Sequence, residues 1–190
     1  MADKMATYSP SDAKVLNVEP IKPEEAKWIR LNKINYQDPS GGKRVWESAE
    51  RQTRRAHTEA DGVGVIAILQ FPNKPASLLL QKQFRPPVNR VTIEVPSGLI
   101  DEGEDIATAA LRELKEETGY VGTIPGDEEA RKVAEGFLMW NDPGFCNTNT
   151  KMIFVQVDTD APENRDPKPE LEENEYIETF TLPLATLWMI

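Results

Sequence analysis

The sequence predicts a mixed α/β fold: an α+β mixed sheet preceded by a small antiparallel β unit. Three observations carry this. The apolar segments are mostly short, rich in β-branched residues and bounded by turn residues. One stretch alone, Asp105 to Thr118, repeats its apolar residues at helical period. That stretch follows a short strand and a glycine-containing turn, an order that builds mixed layers rather than a helical bundle or an all-β sandwich. The chain has 190 residues, enough for one ordinary domain with a small addition. At 39% hydrophobic and 28% charged it can bury a sizeable core.

Taken in order, residues 1–12 read as a frayed tail. Residues 13–58 form the N-terminal β unit, with strands at Lys27 to Tyr36 and Lys43 to Arg51. The cluster Asp38-Pro39-Ser40-Gly41-Gly42 turns the chain between them. Residues 59–190 form the main unit. Gly62 to Gln70 is apolar and β-branched enough for a buried strand, and Ser77 to Gln83 can pair with it across a proline-containing loop. Val91 to Val95 is a short strand before the helix; Val133 to Met139, Lys151 to Asp158 and Tyr176 to Leu182 follow it. A proline- and acid-rich segment, Thr159 to Asn174, separates the last two. A structureless loop of that length is expected to be functional or mobile.

Charge narrows the function. Lys+Arg of 22 against Asp+Glu of 32 gives a formal net charge of −10, which argues against nucleic acid or an anionic membrane as partner. The longest apolar runs fall far short of the roughly 20 residues of a membrane span, and the first residues lack the apolar core of a secretory signal. The single cysteine, Cys146, excludes an intrachain disulfide and suits a reducing compartment. The expectation is a cytoplasmic protein, with the nucleus as a second location. The charge is uneven: Lys43 to Ile93 holds nine basic residues against four acids, or +5, leaving −15 elsewhere. Such a stretch is either a solvated surface or a patch that receives an anionic ligand.

On a helical wheel from Glu104, Ile106, Ala107, Ala110, Leu111 and Leu114 fall within an arc of about 140°. Glu113, Glu116 and Glu117 lie side by side at its edge, and Glu117 intrudes into it. Like charges one turn apart repel, and acids near a helix C-terminus oppose its dipole. Clusters that break local stability rules in this way tend to be functional. A hard divalent cation resolves the conflict, because Mg²⁺ takes carboxylate oxygens and keeps water for the rest of its shell. The wheel by itself also fits an acidic, exposed helix end.

The spacing separates the two. Gly98, five residues, Glu104, seven residues and then Arg112-Glu113-Leu114-Lys115-Glu116-Glu117-Thr118-Gly119-Tyr120 matches the Nudix box at every fixed position. Chance would produce it roughly once in 10⁹ start positions. Physically, Gly98 and Gly103 shape the loop before the helix, Gly119 can end it in the left-handed conformation, and Arg112 can pair with Glu104 or Glu116. Beyond the box, Trp46-Glu47-Ser48, Asp61-Gly62-Val63, Gln83-Phe84-Arg85-Pro86-Pro87, Ile93-Glu94-Val95-Pro96-Ser97-Gly98 and Asp142-Pro143-Gly144 resemble the ADP-ribose pyrophosphatase branch of the Nudix hydrolases. The resemblance runs from about Trp28 to Leu184.

The resemblance implies a Nudix α/β/α sandwich and a homodimer built partly by the N-terminal β unit. It also implies Mg²⁺-dependent cleavage of ADP-ribose or another ADP-sugar to AMP and sugar phosphate, with Mn²⁺ as a substitute metal. Glu113, Glu116, Glu117 and the Ser97 backbone carbonyl are the implied metal ligands. Arg85 and Arg51 are implied to grip the diphosphate, bidentate contacts being suited to it. Trp28 and Trp46, one from each subunit, are implied to sandwich adenine, with Glu47, Leu99 and Asp142 as further substrate contacts. Glu116 and Arg112 complete the catalytic cluster. Glu175 is the best match to the family's catalytic base, with Glu172, Glu173 and Glu178 as rivals, and loop closure is expected to bring it in with substrate.

His57 reads as a surface residue and Cys146 as a bystander thiol. Relatives continue past the last strand into a C-terminal helix, whereas this chain stops at Leu184-Ala185-Thr186-Leu187-Trp188-Met189-Ile190, so exposed apolar surface is expected there. Three functions fit: an ADP-ribose diphosphatase, a Nudix hydrolase of another nucleotide such as an oxidised nucleotide or a dinucleotide, and a module that binds ADP-ribose without turnover.

Overall fold

A computed structural model describes residues 8–54, 59–126 and 136–189. Arg55, His57 and the start of the strand expected from Val133 lie outside these residues. The chain is mixed α/β. The first two strands, β1 (Ile29–Gln37) and β2 (Lys43–Arg51), form an antiparallel hairpin. Its turn is built by Asp38, whose Oδ1 accepts from the Ser40 and Gly42 backbone N–H groups at 3.0 and 2.8 Å.

The larger sheet is mixed. Its central strand β3 (Gly62–Phe71) runs antiparallel to β4 (Lys74–Arg85) on one side and parallel to β8 (Asn149–Asp158) on the other. Strand β5 (Arg90–Glu94) and strand β9 (Ile177–Pro183) both pair with β4, and β7 (Leu138–Trp140) pairs with β8. A short strand absent from the sequence reading, β6 (Ser97–Leu99), pairs with the first residues of β3. The proline-containing loop expected before β4 is tighter than predicted: Phe71 already pairs with Lys74, and Pro75 lies inside the strand's first turn of pairing. Proline is tolerated at a strand's beginning, where its missing N–H removes no essential bond.

Alternation decides what the sheet buries. Val63, Val65, Ala67 and Leu69 of β3 and Ile153, Val155 and Val157 of β8 are fully buried on one face. Against that face packs the single α-helix of the described residues, α1 (Ile106–Thr118), through Ala109, Ala110 and Leu114. Truncating Leu114 to alanine would cost about 2–5 kcal/mol. Asp105 caps the helix by accepting from the Thr108 backbone N–H at 2.9 Å. Gly119 ends it at φ 76°, and a Cβ there would also lie 2.2 Å from the Lys168 backbone nitrogen. Glycine is therefore required twice over.

Two segments are better anchored than their composition suggests. Within the expected tail, Ser9 caps a short 3-10 turn at Pro10–Asp12, Pro10 is buried, and the Ser9 hydroxyl donates to Glu178. In the proline- and acid-rich segment, buried Asn164 accepts from the Val121 N–H at 2.8 Å. Its own Nδ2 donates to the carbonyls of Val121 and Asp158 at 2.8 and 2.7 Å. The Glu170 N–H donates to the Glu116 carbonyl at 2.7 Å. The segment is thus pinned to the end of α1 as far as Glu170. No helix among the described residues is long and apolar enough to cross a membrane.

Candidate active site

The C-terminal half of α1, β6, the end of β4 and the segment around Glu175 wall a polar cleft of about 630 Å³. Glu113, Glu116 and Glu117 line it together with Ser97, Leu99 and Arg112. Arg51, Arg85 and Glu175 face them from other walls. Residues up to 124 positions apart in sequence thereby meet at one site.

Arg112 organises the acids. Its Nε and Nη2 donate to Glu104 at 2.9 and 3.0 Å, and its Nη1 to Glu113 and Glu116 at 2.8 and 2.9 Å. Nη2 also reaches the Leu99 carbonyl at 3.0 Å. The alternatives left by the spacing, Glu104 or Glu116, are both taken, and Glu113 is added. A planar five-donor fork can do this where a lysine cannot.

Glu117 is the buried member. It is 4% exposed, and each carboxylate oxygen has one donor: Gln81 Nε2 to Oε1 at 3.1 Å and the Ser97 N–H to Oε2 at 2.7 Å. Burial pushes its pKa up to about 7, against the opposing pull of those two donors. Burial also raises Glu113, opposed by Arg112. Raised carboxylate values favour the protonated form, so ionising Glu117 as pH climbs from its ordinary value of 4.5 to about 7 lowers the stability of the fold. A cation in the cleft would remove that penalty.

Among the described residues no three side chains of His, Cys, Asp or Glu converge into a finished metal cage. The box acids are instead occupied by Arg112, Gln81 and the Ser97 N–H. The donor set nonetheless fits a hard divalent ion: carboxylate oxygens on one wall of an open polar cleft, one of them buried with its charge disfavoured.

Arg85 meets the cleft already paired. Its Nε and Nη2 donate to the two Glu94 oxygens at 2.8 and 2.6 Å, with Thr92 also donating to Glu94. Arg51 Nε is buried without a hydrogen-bond partner. Of the basic residues counted between Lys43 and Ile93, Arg54 instead forms a bidentate pair with Asp61 at 2.7 and 2.6 Å. Arg44 holds Asp38, Lys82 holds Glu178, and Lys74 sits 3.7 Å over the Phe71 ring. The basic stretch is therefore distributed over the fold rather than gathered into one patch, with Arg51 and Arg85 as its contribution to the cleft.

Glu175 is half-buried on the cleft wall, its N–H bonded to the Glu172 carbonyl at 3.0 Å. Glu172 also lines the cleft, Glu173 is exposed, and Glu178 is drawn away by Ser9 and Lys82. Trp28 and Trp46 are 67% and 48% exposed. Trp46 Nε1 donates to the Gly144 carbonyl at 3.0 Å, and the Ala49 N–H to the Phe145 carbonyl at 2.9 Å, so the loop at Asp142 fixes the hairpin to the main sheet. Glu47 and Asp142 are exposed near this junction. The Trp28 carbonyl bonds Gln52, six residues along the chain from Trp46, roughly 20 Å of extended strand. The two tryptophans therefore stand well apart along the hairpin.

Gln81, Gln83, Glu94 and Asn164 have no role assigned from sequence, although Gln83 and Glu94 lie within the segments that carry the resemblance. Gln81, Gln83 and Arg85 follow Leu79 at alternate positions of β4, so the available signal was polar residues on an inward-facing row.

The box acids and two arginines thus gather around one polar cleft of a mixed α/β fold. Residues 58–188 match the NUDIX domain, and the chain belongs to that family as a Nudix hydrolase. It is 50% identical over 177 residues to the Saccharomyces cerevisiae protein named ADP-ribose pyrophosphatase, covering 92% of this chain and 73% of that one. It is 39% identical over 159 residues to ADP-sugar pyrophosphatase of Mus musculus, covering 84% of this chain and 69% of the relative. A solved structure described as an ADP compounds hydrolase matches with a TM-score of 0.56 over 92% of this chain and 82% of that one. At 19% identity, this is a likeness of fold.

Proposed function

We propose that the chain hydrolyses the diphosphate of ADP-ribose and related ADP-sugars, giving AMP and a sugar phosphate, with Mg²⁺ as its metal and Mn²⁺ as a substitute. The observation that carries this is the cleft in which Glu113, Glu116 and Glu117 face Arg51 and Arg85. The names of the two relatives above support the choice of substrate.

In this reading Glu113, Glu116, Glu117 and the Ser97 carbonyl hold the cation. When bound, it offsets the charge of the diphosphate and makes water more acidic. The chain's own residues do the rest. Arg51 and Arg85 bind the diphosphate oxygens and stabilise the charge that grows on them. Arg112 keeps three carboxylates in place that would otherwise repel one another. Glu175 takes the proton of the attacking water. The water oxygen joins one phosphorus, the bond from that phosphorus to the bridging oxygen breaks, and the bridging oxygen leaves with the other phosphate. Trp46, oriented by the Gly144 carbonyl, stacks on adenine, with Trp28 of a second copy on its other face. Glu47, Asp142 and Leu99 contact the rest of the substrate.

The reach between the two tryptophans supports a homodimer. So does the hairpin itself, which exposes Ile29, Leu31, Ile34, Tyr36 and Val45. The low cysteine content and negative charge suit the cytoplasm and nucleus. The test is incubation of the chain with ADP-ribose and Mg²⁺. Equal amounts of AMP and ribose 5-phosphate are expected. Binding of ADP-ribose without release of AMP would overturn the reading in favour of a non-hydrolytic binding module.

A further inference from the structure

Gln81 occupies a core position. On β4, Ser77, Leu79 and Gln81 alternate inward and are 4%, 1% and 0% exposed. Leu79 packs in the main apolar cluster. Two residues further, toward the cleft, the chain buries a primary amide instead. Its Nε2 donates to Glu117 Oε1, and its Oε1 is buried with no hydrogen-bond partner. A half-satisfied buried amide is less stable than an apolar group of similar shape. Leucine or methionine would fill the same space and remove the unpaired carbonyl, while leaving Glu117 Oε1 without its donor. The two effects oppose each other, so fold stability alone does not select the glutamine.

Its single bond does. Gln81 on β4 and the Ser97 N–H on β6 each donate to a different oxygen of Glu117. Two donors from two strands fix the plane of the carboxylate and leave each oxygen a second lone pair for another partner. We propose that Gln81 is a positioning residue that presents the Glu117 carboxylate to the divalent cation. It serves metal affinity rather than fold stability. The inference rests on the reading of Glu117 as a metal ligand.

The test is a Mn²⁺ titration of the full chain, with free Mn²⁺ followed by electron paramagnetic resonance, beside thermal unfolding of the metal-free protein. Gln81→Leu is expected to lose Mn²⁺ affinity roughly tenfold or more, as for other residues that orient metal ligands. Its unfolding temperature should stay close to wild type, because losing the unpaired carbonyl offsets the donor that Glu117 Oε1 gives up. Gln81→Met, more adaptable in shape, provides the same comparison if the leucine variant does not fold. Glu117→Gln separates the two levels of the account. If it loses affinity while Gln81→Leu binds Mn²⁺ like wild type, the positioning role is wrong and the site stands. If Glu117→Gln itself binds like wild type, the reading of the site fails and the inference with it. A Gln81→Leu variant that loses affinity only together with a marked drop in unfolding temperature would make Gln81 a structural residue and overturn the proposal.

Discussion

Gly98 and Glu113 stand so close that a Cβ on residue 98 would lie 2.0 Å from Glu113 Oε1. The glycine is needed at this point for close approach rather than for a turn, since it lies within β6 and its φ is not positive. The strand and the helix are thereby brought near enough for β6 to reach Glu117 with a backbone N–H and Arg112 with a carbonyl. Gly98→Ala must displace the Glu113 carboxylate. Its kcat is expected to fall roughly 100-fold, since misplacement of about 1 Å at a reacting site has that effect. Steady-state kinetics with ADP-ribose checks this, and an unchanged kcat would remove Glu113 from the reacting cluster.

The box acids were legible because they sit on one helix, where period and spacing alone place them on a common face. The same holds for the glycine that ends the helix. The contacts that complete the site were not legible, because they join residues far apart in sequence: Gln81 to Glu117, and Asn164 to Val121. Strand β6 has three residues and no alternation to betray it. The acidic composition of residues 159–174 suggested mobility, but a single asparagine with its amide fully bonded pins most of the segment.

That anchor has a consequence for catalysis. Asn164→Ala leaves the Val121 N–H and the Val121 and Asp158 carbonyls without their partner, and is expected to lower stability by about 2–3 kcal/mol. It should also loosen the segment that leads to Glu175. Limited proteolysis within residues 159–175 is expected to quicken, and kcat to fall more than KM rises. A variant cut no faster than wild type would mean that the segment is held elsewhere.

Arg85 and Glu94 give a pH dependence. The Arg85 guanidinium beside Glu94 holds its carboxyl below the ordinary value of 4.5. A lowered carboxylate value means that this contribution is present at neutral pH and is lost as pH falls below 4.5 through the folded-state value. Because Arg85 is partly exposed, with 43% side-chain accessibility, the contribution is about 1 kcal/mol or less. Glu94→Gln is therefore expected to be less stable than wild type at pH 7 and to match it near pH 3, as urea unfolding at the two values would record. The freed Arg85 should also bind the diphosphate less well, raising KM.

Trp46 tests adenine recognition. Stacking of a base on an aromatic ring is worth about 1–3 kcal/mol, so Trp46→Ala is expected to raise KM for ADP-ribose by roughly 5- to 150-fold. Trp46→Phe keeps a ring but loses the bond to the Gly144 carbonyl, and should fall between the two. Equal KM values for all three proteins would place adenine elsewhere.

The central claim is that the buried carboxylate of α1 belongs to a catalytic metal site. Release of AMP from ADP-ribose, measured across Mg²⁺ concentrations for the intact chain and for Glu117→Gln, tests it most directly. The account predicts turnover that depends on Mg²⁺ in the intact chain and falls by several orders of magnitude in the variant while ADP-ribose still binds. Turnover by the intact chain without a divalent cation, or by Glu117→Gln at the wild-type rate, would contradict it.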